Sequence, residues 1–189
     1  VIVTLRPVTV ADLAVEPHPS RSTGLHVSTI IKAICKGLEP ERFGGEITNW
    51  TPIEMGFTVE RAIESAWASR RIDVWRPGEM EKDGIVGSPD GVTFDSDGAI
   101  VDEIKCTWMS SKGCPEDKKF WHWLVQIKAY CHLLDTIRAR LHVVFVNGNY
   151  SDHREPQYCS WDLRFHGGEI DENWMMLVNQ AAVLRREQT

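Results

Sequence analysis

The sequence offers little from which to build a soft or imidazole metal site. Its five cysteines, Cys35, Cys106, Cys114, Cys131 and Cys159, include no CxxC pair. That argues against a zinc ribbon or a disulfide framework and for reduced, mostly buried thiols. The seven histidines show no HxxxH or HExxH spacing, so a histidine metal centre is not expected. Long apolar runs are missing too, none approaching the roughly 18 continuous residues of a membrane span. The opening "VIVTLRPVTVADL" lacks the charged, apolar and small-residue regions of a secretory leader, and a cytoplasmic protein with no membrane role is the expectation. No internal repeat or low-complexity linker divides the chain. Positive charge is in deficit, with a formal net charge of −6. This excludes a body coated in basic residues but permits a small basic lining on an acidic one.

What is present suits a single domain over residues 1–189, with 42% apolar residues to fill one core. Residues 1–22, rich in proline and polar side chains, read as irregular. "HVSTIIKAICKGL" reads as a helix with Ser28 as N-cap and Gly37 as its stop. A second helix spans Thr51 to Arg71, with Thr51 capping, Pro52 in the first turn, and Met55, Val59, Ala62, Ile63, Ala66 and Trp67 as its apolar stripe. "IDVWRPG" reads as a short strand. A β-hairpin follows over Gly87–Trp108, then a helix from about Asp117 to Leu134, strands in "RLHVVFVNG" and "QYCSWDLRF", and a closing amphipathic helix. This order predicts an α/β fold, a mixed central sheet flanked by helices.

The hairpin "GSPDGVTFDSDGAIVDEIKCTW" is unusual in its charges. With a two-residue loop at Ser96-Asp97, paired positions sum to 193, which sets Asp90 opposite Glu103 and Ser88 opposite Lys105. "DSDG" also suits a three-residue loop with Gly98 as a bulge, which slips the pairing by one. In the first register Asp90, Glu103 and Lys105 share one face. Facing carboxylates repel, and the arrangement is stable only with a bound cation or a retained proton. Carboxylate oxygens suit Mg²⁺ or Mn²⁺. On spacing alone, a solvated hairpin with ordinary surface charges explains the residues equally well.

Pro89-Asp90 followed by Glu103-Ile104-Lys105 resembles the PD-(D/E)xK nuclease signature. Upstream, "GFTVERA" resembles the first-helix motif of the lambda exonuclease branch, matching at Gly56 and Glu60. Downstream, "QIKAY" resembles the QxxxY element of the RecB-type nucleases, matching at Gln126 and Tyr130. A helical wheel sets Glu60 nearer the apolar stripe than Glu64, hence inward. Gln126 and Tyr130, four apart, lie on one helix face; Tyr130 fits a core position as well as a substrate-positioning one.

The resemblance implies a restriction-endonuclease-like core and Mg²⁺-dependent hydrolysis of DNA. Asp90, Glu103, the Ile104 carbonyl and Glu60 are the expected metal ligands, Mn²⁺ an expected substitute, and Lys105 a water-orienting cation or general base. Ser88 is expected to meet phosphate or to finish the turn. The start of the first helix, with Ser28 and Thr29, offers an anion site. Arg21, three residues before Gly24, parallels the arginine that receives a terminal 5′-phosphate in that branch, where the spacing is two. Lys118 and Lys119 are candidate backbone contacts. The activity implied is a 5′-to-3′ exonuclease on linear duplex, in phage-type recombination or repair, working as a ring-shaped trimer with a single-strand annealing partner and located in the host cytoplasm. The alternatives are a structure-specific or restriction-like endonuclease on the same core and a nonenzymatic DNA-binding subunit. The iron–sulfur RecB-type nucleases need a C-terminal cysteine trio. Here only Cys159 follows Cys131, so no cluster is expected.

Overall fold

The computed structural model describes residues 22–44, 51–152 and 154–187. A short strand β1 (Leu25–His26) leads into α1 (Val27–Leu38), the single turn α2 (Pro40–Phe43) and α3 (Thr51–Ser69). Strands β2 (Met80–Lys82), β3 (Ile85–Gly87), β4 (Gly91–Asp95) and β5 (Gly98–Thr107) follow. Then come α4 (Trp121–Leu133), β6 (Arg138–Phe145), β7 (Gln157–Arg164) and α5 (Gly167–Glu187).

The strands form two mixed sheets. A three-stranded sheet runs β1-β3-β2, and a four-stranded sheet runs β4-β5-β6-β7. Parallel strands need a crossover connection, and α4 supplies it between β5 and β6, which pair in parallel from Val101↔Ala139 to Thr107↔Phe145. The antiparallel pairs β4–β5 and β6–β7 flank them. The core between helices and sheet is built from Val27, Ile30 and Ile31 of α1, Phe120, Trp123 and Ile127 around α4, Leu141 and Val143 of β6, and Trp174 and Leu177 of α5. Because α4 packs against α1, α5 and both sheets, it is buried on several faces, beyond the single stripe that its sequence suggests.

The hairpin register agrees with the two-residue loop. Every β4–β5 pair sums to 193, from Gly91↔Asp102 to Asp95↔Gly98. Gly98 takes a positive φ of 111° without shifting it. The ladder nevertheless stops short of Asp90, and the predicted pairs Asp90–Glu103 and Ser88–Lys105 do not form within it. Pro89 is the physical reason: lacking an N–H, it cannot serve inside a ladder. The stretch Ser88-Pro89-Asp90 instead carries the chain from β3 in one sheet to β4 in the other, so what reads as one long hairpin arm is two strands and a joint.

Other boundaries differ for equally local reasons. Ser28 is not the cap of α1. His26, extended at φ −77° and ψ 144°, precedes the first helical residue, and Ser28 sits exposed inside the first turn. The helix runs one residue past Gly37 and ends where Pro40 starts α2. "IDVWRPG" contributes only an isolated bridge, Trp75↔Val92, and the segment before α4 begins as a 3-10 turn, Lys118–Phe120. The β2–β3 connection is an Asp83-Gly84 turn with φ of 54° and 70°, the left-handed pair that two-residue hairpins favour. It is gripped by α5: Trp174 Nε1 donates to Asp83 Oδ2 at 2.7 Å, and Arg185 Nη2 to the Gly84 carbonyl at 2.8 Å.

Behind β5, on the face toward α3, lies a buried polar cluster. Asp102, 1% exposed, accepts from Thr93 Oγ1 at 2.8 Å and meets His142 Nε2 at 3.0 Å, while His142 Nδ1 lies 2.5 Å from the Tyr158 hydroxyl. Removing a buried carboxylate leaves its partners unsatisfied. Asp102→Ala is therefore expected to lower unfolding stability by roughly 2–5 kcal/mol in urea titration. Asp162→Ala, which breaks an exposed pair with Arg140, is expected to cost less than about 1 kcal/mol.

Candidate active site

A cleft of about 730 Å³ opens where the two sheets, α1, α3 and α4 meet. Its lining includes Glu60, Asp90, Glu103, Ile104, Lys105 and Gln126. The central strand β5 presents Glu103 and Lys105 on one face by the two-residue period of a strand. Lys105 Nζ donates to Glu103 Oε1 and, at 3.1 Å, to Gln126 Oε1. Gln126 passes the chain on, its Nε2 donating to the Tyr130 hydroxyl at 2.9 Å. Tyr130 is buried and also takes a main-chain hydrogen bond from Ser88, so its core position and its place beside the cleft are the same position. Gly87 permits this approach: a Cβ there meets Tyr130 Cε1 at 3.0 Å and Leu133 Cδ1 at 2.5 Å.

Asp90 leaves the ladder but stays beside β5, its Oδ2 accepting the Ile104 N–H at 2.7 Å. In a strand the N–H and C=O of one residue point toward the same neighbour, so the Ile104 carbonyl faces the Asp90 side as well. Glu60 reaches the cleft from α3. Glu64, one turn on, stands behind it, hydrogen-bonded to Glu60 and paired with Arg76. Glu60 lines the cleft and Glu64 does not, although both are half-buried.

Electrostatics reflect this crowding. Burial first, then the charge of Asp90, pushes the Glu103 carboxyl up to about 8. Burial, then Asp90 and Glu64, pushes Glu60 up to about 7. Asp90 is also raised, chiefly by burial and despite Lys105. Burial works to lower Lys105, but the pull of Glu103 and Asp90 outweighs it and holds the ammonium above its ordinary value. One cation faces several carboxylates, so the cluster keeps a spare proton.

The donor set has room for a hard cation. Among the described residues, Glu103 Oε2 is a buried side-chain oxygen with no hydrogen-bond partner, a costly state for a carboxylate. No three His, Cys, Asp or Glu side chains among the described residues form a ready-made cage. The fit is to an ion that takes one or two carboxylates, a carbonyl, and water or substrate oxygens, as Mg²⁺ does.

The remaining sequence-derived positions divide. Ser28 lines the cleft and Ser88 lines it from the joint. Thr29 is exposed on α1 outside the lining. Lys118 borders a separate small cavity with Cys35, Arg42 and His122, and Lys119 pairs with Asp117; neither reaches the cleft. Arg21 lies outside the described residues. Two residues of the lining were not singled out in the sequence: His26, at the first position of the predicted helix, and Glu79, which lies in no predicted element and accepts from the Ser22 N–H at 3.2 Å. Arg76 stands outside the lining, paired with Glu64. An open groove of similar volume on α5, lined by Met175, Met176 and Val183, gathers no comparable set of buried charges.

The joint bearing Pro89-Asp90, the central strand bearing Glu103-Ile104-Lys105 and the helices bearing Glu60 and Gln126 belong to a mixed α/β fold shared with solved exonuclease structures. The alkaline exonuclease LHK-Exo from Laribacter hongkongensis superposes with a TM-score of 0.56 at 16% identity, over 87% of this chain and 89% of that one. The same protein in complex with dAMP gives 0.58 at 17%, with the same coverage. A phage-related exonuclease from Haemophilus somnus gives 0.50 at 15%, over 86% and 83%. No family model and no curated protein matches the sequence. Among the described residues no helix is long and apolar enough to cross a membrane.

The raised Glu103 carboxyl sets a pH test. Folded protein holds this proton up to about 8, whereas the ordinary value is 4.5. The fold thus binds more protons through that window, and stability falls as pH rises across it. In buffer free of divalent cations, Glu103→Gln is expected to raise the melting temperature by several degrees, at roughly 2–4 °C per kcal/mol. The gain should grow from pH 4.5 to 8, and differential scanning calorimetry across that range checks it.

Proposed function

We propose that this protein is a metal-dependent deoxyribonuclease that hydrolyses phosphodiester bonds from the ends of linear duplex DNA. The observation that carries the reading is the unpartnered, buried Glu103 Oε2, facing a cleft that also gathers Asp90, Glu60 and Lys105. Asp90, Glu103 and the Ile104 carbonyl would hold Mg²⁺, with Glu60 reaching the same cation or its waters. When bound, the cation neutralises phosphate charge and makes water a better nucleophile at neutral pH.

The chain's own residues then divide the work. In hydrolysis a water oxygen attacks phosphorus and gives up a proton to solvent, the bond to the leaving sugar oxygen breaks, and that oxygen takes up a proton from solvent. Lys105, held as an ammonium between Glu103 and Gln126, donates to the water or to the phosphate oxygens, where negative charge gathers. Gln126 and Tyr130 fix its direction. Ser88 and Ser28, exposed at the rim, are placed to meet phosphate oxygens of the incoming strand. The likeness to LHK-Exo, whose structure with dAMP is among those similar to this one, supports a nucleotide substrate. Degradation in the 5′-to-3′ direction, a ring of three copies around the duplex, an annealing partner, and a role in recombination or repair belong to the same reading.

End-labelled linear duplex, with and without a 5′-phosphate, is the direct test. Mg²⁺ or Mn²⁺ should support release of mononucleotides, EDTA should abolish it, and Ca²⁺ should permit binding without turnover. Covalently closed circles should survive, whereas their digestion would point to the endonuclease alternative. Asp90→Asn and Glu103→Gln should fall below detection while remaining folded. Lys105→Ala should lose roughly 10²–10⁴-fold in kcat. Binding without cleavage under all cation conditions would instead identify a nonenzymatic DNA-binding subunit. Sedimentation velocity tests the ring.

A further inference from the structure

Two aromatic rings stand in solvent along β4, outside the lining of the cleft. Trp75 is 48% exposed and Phe94 62% exposed. Their ring centroids lie 6.3 Å apart at an interplanar angle of 35°. The backbone holds them in place. Trp75 exchanges hydrogen bonds with Val92 in both directions, at 2.9 and 2.8 Å, along the outer edge of β4.

The face on which they stand follows from strand geometry. Opposed residues of an antiparallel pair share a face, as do residues two apart along a strand. Trp75 therefore shares the face of Val92, and with it that of Phe94. Val92 pairs with Val101, which lies two residues before Glu103 on β5, so the rings occupy the side of the sheet that bears Glu103 and Lys105. At about 3.4 Å per residue, Val92 is at most about 7 Å of chain from Asp90, and Phe94 about 14 Å. Arg76, the residue after Trp75, points to the other face, toward α3. Its guanidinium pairs with Glu64 while its side chain stays 47% exposed, and a guanidinium carries five N–H donors.

We propose that Trp75 and Phe94 are a stacking platform for the bases of a single nucleic-acid strand leading along β4 toward the cleft. The inference rests on the nuclease reading and deepens it by assigning where the strand runs. Size favours this occupant over a protein. A fully buried aromatic covers roughly 150–250 Å², so two half-exposed rings offer on the order of 200 Å², against about 800 Å² per partner for a stable protein interface. One or two bases fit that area, and stacking accepts any base because each has a π-face.

The test measures fluorescence anisotropy of a labelled single-stranded oligonucleotide in Ca²⁺, using wild type, Trp75→Ala/Phe94→Ala and the aromatic-retaining Trp75→Phe/Phe94→Tyr. Matched oligonucleotides carry abasic residues at successive positions from the end. Losing the rings should weaken binding by roughly 5- to 100-fold per stacked base, and the aromatic variant should bind as wild type does. An abasic residue at the platform should cost wild type the same factor and cost the alanine variant nothing further. All three proteins should share one melting temperature. Equal affinity of wild type and alanine variant, or equal abasic losses in both, overturns the platform. So does a wild-type oligomer that the alanine variant dissociates in sedimentation, because the rings then serve a contact between copies. Wild-type protein that neither binds nor cuts linear DNA refutes the nuclease reading itself; normal cutting with unaltered variant binding refutes the platform alone.

Discussion

One lysine held against several carboxylates is the constraint around which the rest is arranged. Lys105 takes up Glu103 Oε1 and leaves Oε2 buried without a partner, with Asp90 and Glu60 crowding the same cleft. A core built for stability alone would replace such a cluster with apolar residues, since buried charges seldom repay their desolvation. The fold instead spends its most protected strand on them. β5 is central in its sheet, and its interior positions, Asp102 and Glu103 included, are buried.

The surroundings make that strand immovable. The parallel ladder to β6 and the antiparallel ladder to β4 fix it from both sides, α4 packs over it, and the Gln126–Tyr130 pair orients the lysine from that helix. On the opposite face, Asp102, His142, Thr93 and Tyr158 satisfy a second buried polar group next to the first. Two acidic neighbours on one strand thus have opposite lots. Asp102 is fully partnered and holds structure, whereas Glu103 is left partly unsatisfied and is available for chemistry.

Much of this was legible in the sequence, where local rules decide. The loop at Ser96-Asp97 fixed the register, the period of two put Glu103 and Lys105 on one face, and the spacing of four put Gln126 beside Tyr130. The misread parts depend on information that short windows do not hold. Pro89 signalled a break, but not that the chain changes sheets there. The cap of α1 shifted because β1 pairs with β3 and carries the backbone into the helix at Val27, leaving Ser28 no capping position. Glu79 reaches the cleft from a patternless segment that only packing brings there. Lys118 and Lys119 were attractive as charges near β5 in sequence, yet the 3-10 turn that bears them points them elsewhere.

The joint between the sheets anchors the site unevenly. Glu103 is held in the parallel ladder to β6, opposite Leu141, while Asp90 stands outside any ladder, tethered by the Ile104 amide and by its neighbour Pro89. The two carboxylates are therefore anchored by different means, one by the repeated hydrogen bonds of a ladder and the other by a single main-chain amide at the seam between the sheets. A substitution at Ser88 or Pro89 bears on the Asp90 anchor alone, whereas one in β6 bears on the strand that carries Glu103 and Lys105.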